Sequence, residues 1–321
     1  MSEEYVGVDV GGTKIAVASL RDGELSEPRA TPTSTEDADA LLGAIVAAVE
    51  GARSDAAVAV GIGVPSVIDY ETGTARSSVN VPLEDVPLRD VLGERLGLPT
   101  FVDNDATLAA LAEAHEGDRL VVRDLVMFTV GTGVGGGLLL NGEPYRGASG
   151  AAAELGHTLI ALEAGGAVPA ASSFPQPGSL ESLAAGRVLD RLAVAAASEH
   201  PESALGKVAR DEEVTGAGAV AAARDGDEVA IGLIERLGGW LGVGVANAIN
   251  AFDPEVVAIG GGVSAAGDLL LEPVRRVASE YVLPGVGTRT KIRLSQHGYA
   301  AGVLGAALMA KRESQRRKEA G

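Results

Sequence analysis

The sequence predicts an α/β protein in two halves, with mixed sheets flanked by helices. Three observations lead there. A glycine-centred strand–turn–strand segment occurs twice, over residues 5–20 and again over 125–140. Apolar runs of strand length alternate with segments of helical period through the rest of the chain. The 321 residues suit two domains of ordinary size, and 46% of them are hydrophobic, enough to bury a sizeable core. Aromatics make up only 3%, so that core is expected to consist of small aliphatic side chains.

The first copy runs from an apolar strand at 5–10, through Gly11-Gly12-Thr13-Lys14, into a strand at 15–20, and closes on the tight-turn pair Asp22-Gly23. A third strand of the meander is expected at 25–31. A helix follows over 35–50, capped by Ser34 or Thr35, with Leu41, Leu42, Ile45, Val46 and Val49 on its apolar face. A strand at 57–64 stops at Pro65, residues 69–73 form a turn, and a short helix covers 88–96. A strand at 100–102 ends on Asp103-Asn104-Asp105, and a helix is expected over 106–115. The second copy has strands at 125–130 and 137–140 around Gly131-Thr132-Gly133-Val134-Gly135-Gly136-Gly137, closing on Asn141-Gly142. Residues 164–179 read as a surface loop and 180–198, 216–224 and 227–251 as helices. A buried strand at 256–259 leads through Gly260-Gly261-Gly262 to a helix at 266–281, and 291–294 forms a last strand. A small-residue helix covers 298–309 before a solvated charged tail.

The net charge of −18 makes nucleic acid a poor partner. Lysine is confined to Lys14, Lys207, Lys291, Lys311 and Lys318, and this scarcity beside high acidity suggests a halophilic protein whose self-repulsion salt would screen. No apolar run reaches the length of a membrane span, and the acidic start Met1-Ser2-Glu3-Glu4 is unlike a secretory signal, so a cytoplasmic location is expected. The absence of cysteine excludes disulfides, thiolate metal sites and a cysteine nucleophile.

Gly131, Gly133 and Gly136 fit G-x-G-x-x-G, but a dinucleotide site needs a helix after the glycines, and here a second strand follows. Lys14 lacks the spacing of a Walker A loop. Turns of this kind bare N–H groups that bind phosphate. Asp9 interrupts an apolar strand beside such a turn, where a carboxylate acts through Mg²⁺ because bare it would repel phosphate. Gly11, Gly12 and Thr13 would then face phosphate oxygens, with Lys14 adding charge. Gly260, Gly261 and Gly262, between strand and helix, read as a nucleotide rim or as a close-packed turn. Of Asp103, Asn104 and Asp105, one caps the next helix, and three exceed what a cap needs, so a general base toward a hydroxyl is expected among them. Glu154 and His157 have E-x-x-H spacing on one helical face, which suits a metal pair or a polyhydroxylated ligand. Glu181 is a third polar wall of that site or a first-turn glutamate favoured by the helix dipole.

Together these segments resemble the ROK sugar kinases (repressor, open reading frame, kinase) of the actin-like ATPase superfamily, and glucokinases in particular. The carriers are Asp9-Val10-Gly11-Gly12-Thr13-Lys14, Asn104-Asp105-Ala106, the 131–137 glycine run, Glu154-Leu155-Gly156-His157, Leu180-Glu181 and Gly260-Gly261-Gly262-Val263-Ser264, in that order from Tyr5 to about Met309. The resemblance implies a two-domain, ribonuclease H-like clamp, with a smaller domain of residues 1–105 plus a returning helix at about 298–315, and a larger one at 106–297. It implies ATP and Mg²⁺, with ATP phosphates at the glycine hairpins (Gly131, Thr132 and Gly133 in the second), adenosine near Gly260, and a hexose as acceptor. Asp105 matches the base for the sugar 6-hydroxyl, and Asn80, Asn104, Glu154, His157 and Glu181 match sugar ligands. A homodimer or homotetramer is implied. Kinases for N-acetylhexosamine or fructose, polyphosphate as donor, a sugar-binding regulator and a non-catalytic actin-type scaffold are the alternatives. The regulator would carry an N-terminal helix-turn-helix, for which a strand beginning at Tyr5 leaves no room. Many members carry a C-x-C-G-x-x-G-C zinc motif where this chain has Ser172-Ser173-Phe174-Pro175-Gln176-Pro177-Gly178-Ser179, so structural zinc is expected to be absent and His157 left to the sugar. Ala153 replaces the glycine usual before the glutamate.

Overall fold

Alternation along the first strand sorts its residues onto two faces, and that sorting determines what each face can pack against. In the computed structural model, which describes residues 2–78, 81–161 and 174–320, β1 (Glu4–Val10) turns Val6, Val8 and Val10 into an aliphatic core. The helix α1 (Ala38–Ala52) supplies Leu41, Leu42, Ile45 and Val49 to the same core. Gly7 and Asp9 fall on the opposite face. The chain divides into two units: Met1–Arg123 with Gly137–Ala153 and Gln296–Gly321, and Asp124–Gly136 with Glu154–Ser295.

In the first unit, β2 (Lys14–Arg21) pairs antiparallel with β1, and both β3 (Glu24–Leu25) and β4 (Arg29–Pro32) pair with β2. After α1, β5 (Ala57–Val64) joins β1 in parallel. A small antiparallel sheet of β6 (Ser66–Asp69), β7 (Thr74–Ser78) and β8 (Glu84–Val86) precedes α2 (Leu88–Leu96). Then β9 (Thr100–Asn104) pairs in parallel with β5 and leads directly into α3 (Asp105–Glu113). A two-strand ribbon, β10 (His115–Glu116) with β11 (Arg119–Leu120), completes this stretch.

The helix α1 starts later than the expected residue 35, because Asp37 supplies the cap: its carboxylate accepts from the Ala40 N–H at 2.8 Å. The break between units also falls later than residue 105. Gly137 would place a Cβ 2.3 Å from the Ala106 carbonyl, so α3 and the residues after Gly136 are packed as one body.

In the second unit, β12 (Leu125–Val130) ends at the second glycine turn, and β13 (Val134–Leu140) crosses back to the first unit, where β14 (Glu143–Pro144) pairs with it. The expected helix at 180–198 is two helices, α4 (Leu180–Ala184) and α5 (Gly186–Glu199), separated by an extended Ala185. Then come α6 (Ala204–Val208), α7 (Gly216–Arg224) and α8 (Glu228–Phe252), capped by Asp227. By length and composition α8 passes for a membrane span. Here, however, its Gly238 and Gly242 take Pro273 and Val277 of α9 (Asp268–Tyr281) at close range, as a core helix does. The strands β15 (Val256–Gly260) and β16 (Lys291–Leu294) extend β12 in parallel.

The chain ends in the first unit with α10 (Ala301–Ala320). It buries Val303, Ala306, Ala307 and Ala310 against the Gly7 face of the sheet. The charged tail, expected to be solvated with the returning helix ending at about 315, is helical to Ala320. Its cations find remote partners: Arg316 binds Glu143 at 2.9 Å, Lys318 pairs with Glu3, and Arg317 lies 4.6 Å from the Phe101 ring.

Candidate active site

Each unit carries one glycine turn between two strands. In the first, the Gly11 N–H donates to the Lys14 carbonyl at 2.9 Å, and Thr33 closes the turn from outside, its hydroxyl on the Gly11 carbonyl and its N–H on that of Thr13. Gly12 and Thr13 are exposed, and among the described residues nothing accepts from their N–H groups. In the second turn the Gly131 N–H donates to the Gly133 carbonyl at 3.0 Å, and Thr132 and Gly133 are likewise left with N–H groups that no described residue accepts. Both turns therefore present two adjacent backbone donors, the arrangement that receives phosphate oxygens.

The β9–α3 junction separates the roles that the sequence left open. Asn104 is the helix cap: its carbonyl oxygen accepts from Ala106 and Thr107 at 3.0 and 3.1 Å. Asp103 is buried and held by Arg146 at 2.7 Å, whose guanidinium also lies 3.6 Å from the centre of the Tyr70 ring. Asp105 is thereby released from both jobs; its carboxylate accepts from the Ala106 N–H at 2.8 Å, and its own N–H and the Asn104 side-chain amide also hydrogen-bond to it. Burial pushes its pKa up. On β1, separated from β9 by β5, Asp9 is pushed up to about 6, first by burial and then by the charge of Asp105, with Lys14 pulling the other way.

A buried carboxylate whose proton affinity is raised by a second carboxylate suits a cation. A nucleotide-bound Mg²⁺ needs only one or two protein carboxylates, and Asp9 fits that requirement. Gly302 was not foreseen in this site. A Cβ there would sit 2.5 Å from the Asp9 carboxyl carbon, so only glycine leaves that carboxylate its place.

In the second unit, Glu154 and His157 do not lie on an α-helix. A single 3-10 turn, Leu155–His157, carries them, and His157 Nε2 is 3.8 Å from Glu154 Oε2. His157 Nδ1 is buried without a hydrogen-bond partner among the described residues, and Phe174 meets the ring edge-on at 5.6 Å. With no cysteine in the chain and no cluster of three potential ligands among the described residues, the donor set does not fit zinc. Ala153 adopts φ +66°, the left-handed conformation that explains a glycine preference there.

Glu181 lies in the first turn of α4, 13% exposed, with Oε2 accepting from the Val134 N–H at 2.9 Å and Oε1 paired with Arg187. Of the three glycines at the end of β15 and just after it, Gly260 and Gly261 have packing reasons. A Cβ on the first would meet Met127 at 2.7 Å, and one on the second would meet the Val130 backbone at 2.4 Å. Gly262 has open space. Asn80, Ser172 and Ser173, and most of the 164–179 loop, lie outside the described residues.

Known proteins are similar to this chain over nearly its whole length. The chain is 36% identical to a glucokinase of Halalkalibacterium halodurans, over 96% of this chain and 95% of that one. It is also 36% identical to a glucokinase of Streptomyces coelicolor, over 95% and 97%. The crystal structure of a ROK family glucokinase from Streptomyces griseus in complex with glucose and AMPPNP superposes with a TM-score of 0.82 at 34% identity, covering 96% of this chain and 99% of that one. The ROK family profile matches residues 5–313, and the chain belongs to the ROK family.

Proposed function

We propose that the chain is an ATP-dependent hexose kinase of glucokinase type, transferring the γ-phosphoryl group to the sugar 6-hydroxyl. The observation that carries this reading is Asp105, a carboxylate that neither caps its helix nor pairs with a cation, at a strand end, with its proton affinity raised. A raised pKa brings a base closer to the operating pH and so improves its driving force. Asp105 accepts the hydroxyl proton as the phosphoryl group departs. Asn104, Asn80, Glu154, His157 and Glu181 hold the remaining hydroxyls. The N–H groups of Gly12, Thr13, Thr132 and Gly133, with the Lys14 ammonium, donate to phosphate oxygens, Gly11 and Gly131 close their turns through their own N–H groups, and the Gly260–Gly262 turn borders the adenosine. Asp9 would hold the Mg²⁺ that accompanies ATP, and the ion would supply charge neutralisation on the transferred group. Since transfer of this kind rests on positioning and electrostatics, these residues suffice for the chemistry. We further propose a cytoplasmic, salt-tolerant enzyme that works as a homodimer or homotetramer.

The test is a coupled assay of ADP release with MgATP in high salt across glucose, mannose, fructose and their N-acetyl amines. Turnover fastest with glucose is the expected result. Preference for an N-acetylhexosamine would reassign the sugar. Sugar binding with no ADP release from any hexose would overturn the kinase reading in favour of a regulator.

A further inference from the structure

The segment Glu181–Arg187 straps the second glycine turn at both ends. On the entry side the Gly186 N–H donates to the Gly131 carbonyl at 2.7 Å, and a Cβ on Gly186 would be 2.6 Å from that oxygen. On the exit side Glu181 accepts from Val134, and a Cβ on Gly133 would be 2.4 Å from the same carboxylate oxygen. The turn is thus clasped between Gly131 and Val134, with Thr132 and Gly133 left to donate outward. A carboxylate in that place carries an electrostatic liability, because it stands beside donors meant for phosphate. Arg187 removes the liability, because its guanidinium is paired with the other oxygen of the same carboxylate.

Resting on the kinase reading, we propose that Glu181 and Arg187 form a positioning pair for the nucleotide: Glu181 fixes the turn's shape, and Arg187, which need touch neither substrate, cancels its charge so that a triphosphate can approach. A free carboxylate near the turn repels phosphate, whereas a paired one orders the backbone donors without that penalty. Gly133 is glycine because the strap occupies the volume of a side chain.

The test uses Arg187→Ala, Arg187→Lys, Glu181→Gln and the double variant Arg187→Ala/Glu181→Gln in the full chain. Arg187 is 40% exposed, so folding is expected to survive, and thermal melts check it. Arg187→Ala is expected to raise the KM for ATP about tenfold, the effect of one lost charge-assisted interaction, with the sugar KM within about twofold of wild type. Arg187→Lys should recover most of that loss. Adding Glu181→Gln to Arg187→Ala should bring the ATP KM back down by removing the uncompensated charge. A separate rise in sugar KM in both Glu181→Gln variants would report its sugar contact.

Hydrogen exchange at the Val134 amide, which needs no turnover, should be slow in wild type and faster in Glu181→Gln. An unchanged ATP KM in Arg187→Ala, or no rescue by the second substitution, would overturn the charge-cancelling role. Fast Val134 exchange in wild type would overturn the strap. An inactive wild type with a protected Val134 amide would instead count against the kinase reading and leave the strap standing.

Discussion

Gly61 makes the steepest demand in the first unit. A Cβ built on it lies 1.9 Å from the Ala306 carbonyl oxygen, a backbone atom of α10. Real Cβ atoms essentially never come within 3.0 Å of such a neighbour, so Gly61→Ala forces α10 off the sheet by about 1.1 Å. The helix cannot yield locally. Gly7 meets the Val303 carbonyl at 2.1 Å on the adjacent strand, and Gly305 meets the Leu108 carbonyl of α3 at 1.8 Å. Overpacking against backbone on both sides is expected to cost about 3 kcal/mol. That lowers the apparent Tm by about 4–5 °C for a chain of 321 residues. The same shift passes to the reacting groups, because Gly302 of α10 abuts Asp9 and α3 begins with Asp105. A misplacement near 1 Å costs about a hundredfold in kcat. Differential scanning fluorimetry and the ADP-release assay read the two effects. Gly51→Ala is the control: it sits on α1 with open space around it, so only the helix propensity of alanine should register, as a slight rise in Tm. If Gly61→Ala melts within about 2 °C of wild type at full activity, the backbone-on-backbone packing of α10 is wrong.

The remaining predictions concern charge. Asp105→Asn should keep sugar affinity, measured by calorimetry, while lowering kcat about a hundredfold or more; near-normal turnover would remove it as the base. Asp9 has a folded pKa of about 6, above its ordinary 3.8, so between those values the folded state holds the extra proton and stability falls as pH rises through the window. Asp9→Asn should therefore stabilise the protein by about 1–2 kcal/mol at pH 7.5, discounted for partial exposure, with the advantage fading below pH 5 while MgATP turnover is lost. Equal melting temperatures for Asp9→Asn and wild type at pH 7.5 would deny the strain on that carboxylate. With a net charge of −18, the wild type should melt at higher temperature in molar KCl than in dilute buffer; a flat response would argue against halophilic design.

Local signals were legible and pairings were not. The two glycine hairpins, β5 with its Pro65 stop, α2 and β15 all follow from period and punctuation within a dozen residues. Asp105 was legible as one member of a polar triplet, but its release from other duties depends on Arg146, some forty residues away in sequence. The fit of Gly302 to Asp9 and of Gly305 to Leu108 involves partners brought together only by the fold. A small-residue helix announced that something would come close, without saying what. The split between α4 and α5 has no glycine or proline before it; Ala185 is extended where Gly186 reaches the Gly131 carbonyl, a constraint from the other turn. The E-x-x-H spacing was read as α-helical, yet a 3-10 turn also joins positions three apart. The charges of the tail do not reveal its partners, because Glu3 and Glu143, which receive them, lie far back in the chain.

The late arrival of α10 has a consequence for biogenesis. Its seat over Gly7 and Gly61 is made by the first strands to leave the ribosome, and the helix that fills it begins only at Ala301. Translation at roughly 5–20 residues per second leaves that glycine-floored furrow without its lining for tens of seconds. During that interval the nascent sheet offers a bare aliphatic margin to chaperones, and the pocket that Gly302 leaves for the Asp9 carboxylate does not yet exist. Catalytic competence is therefore among the last properties the polypeptide acquires.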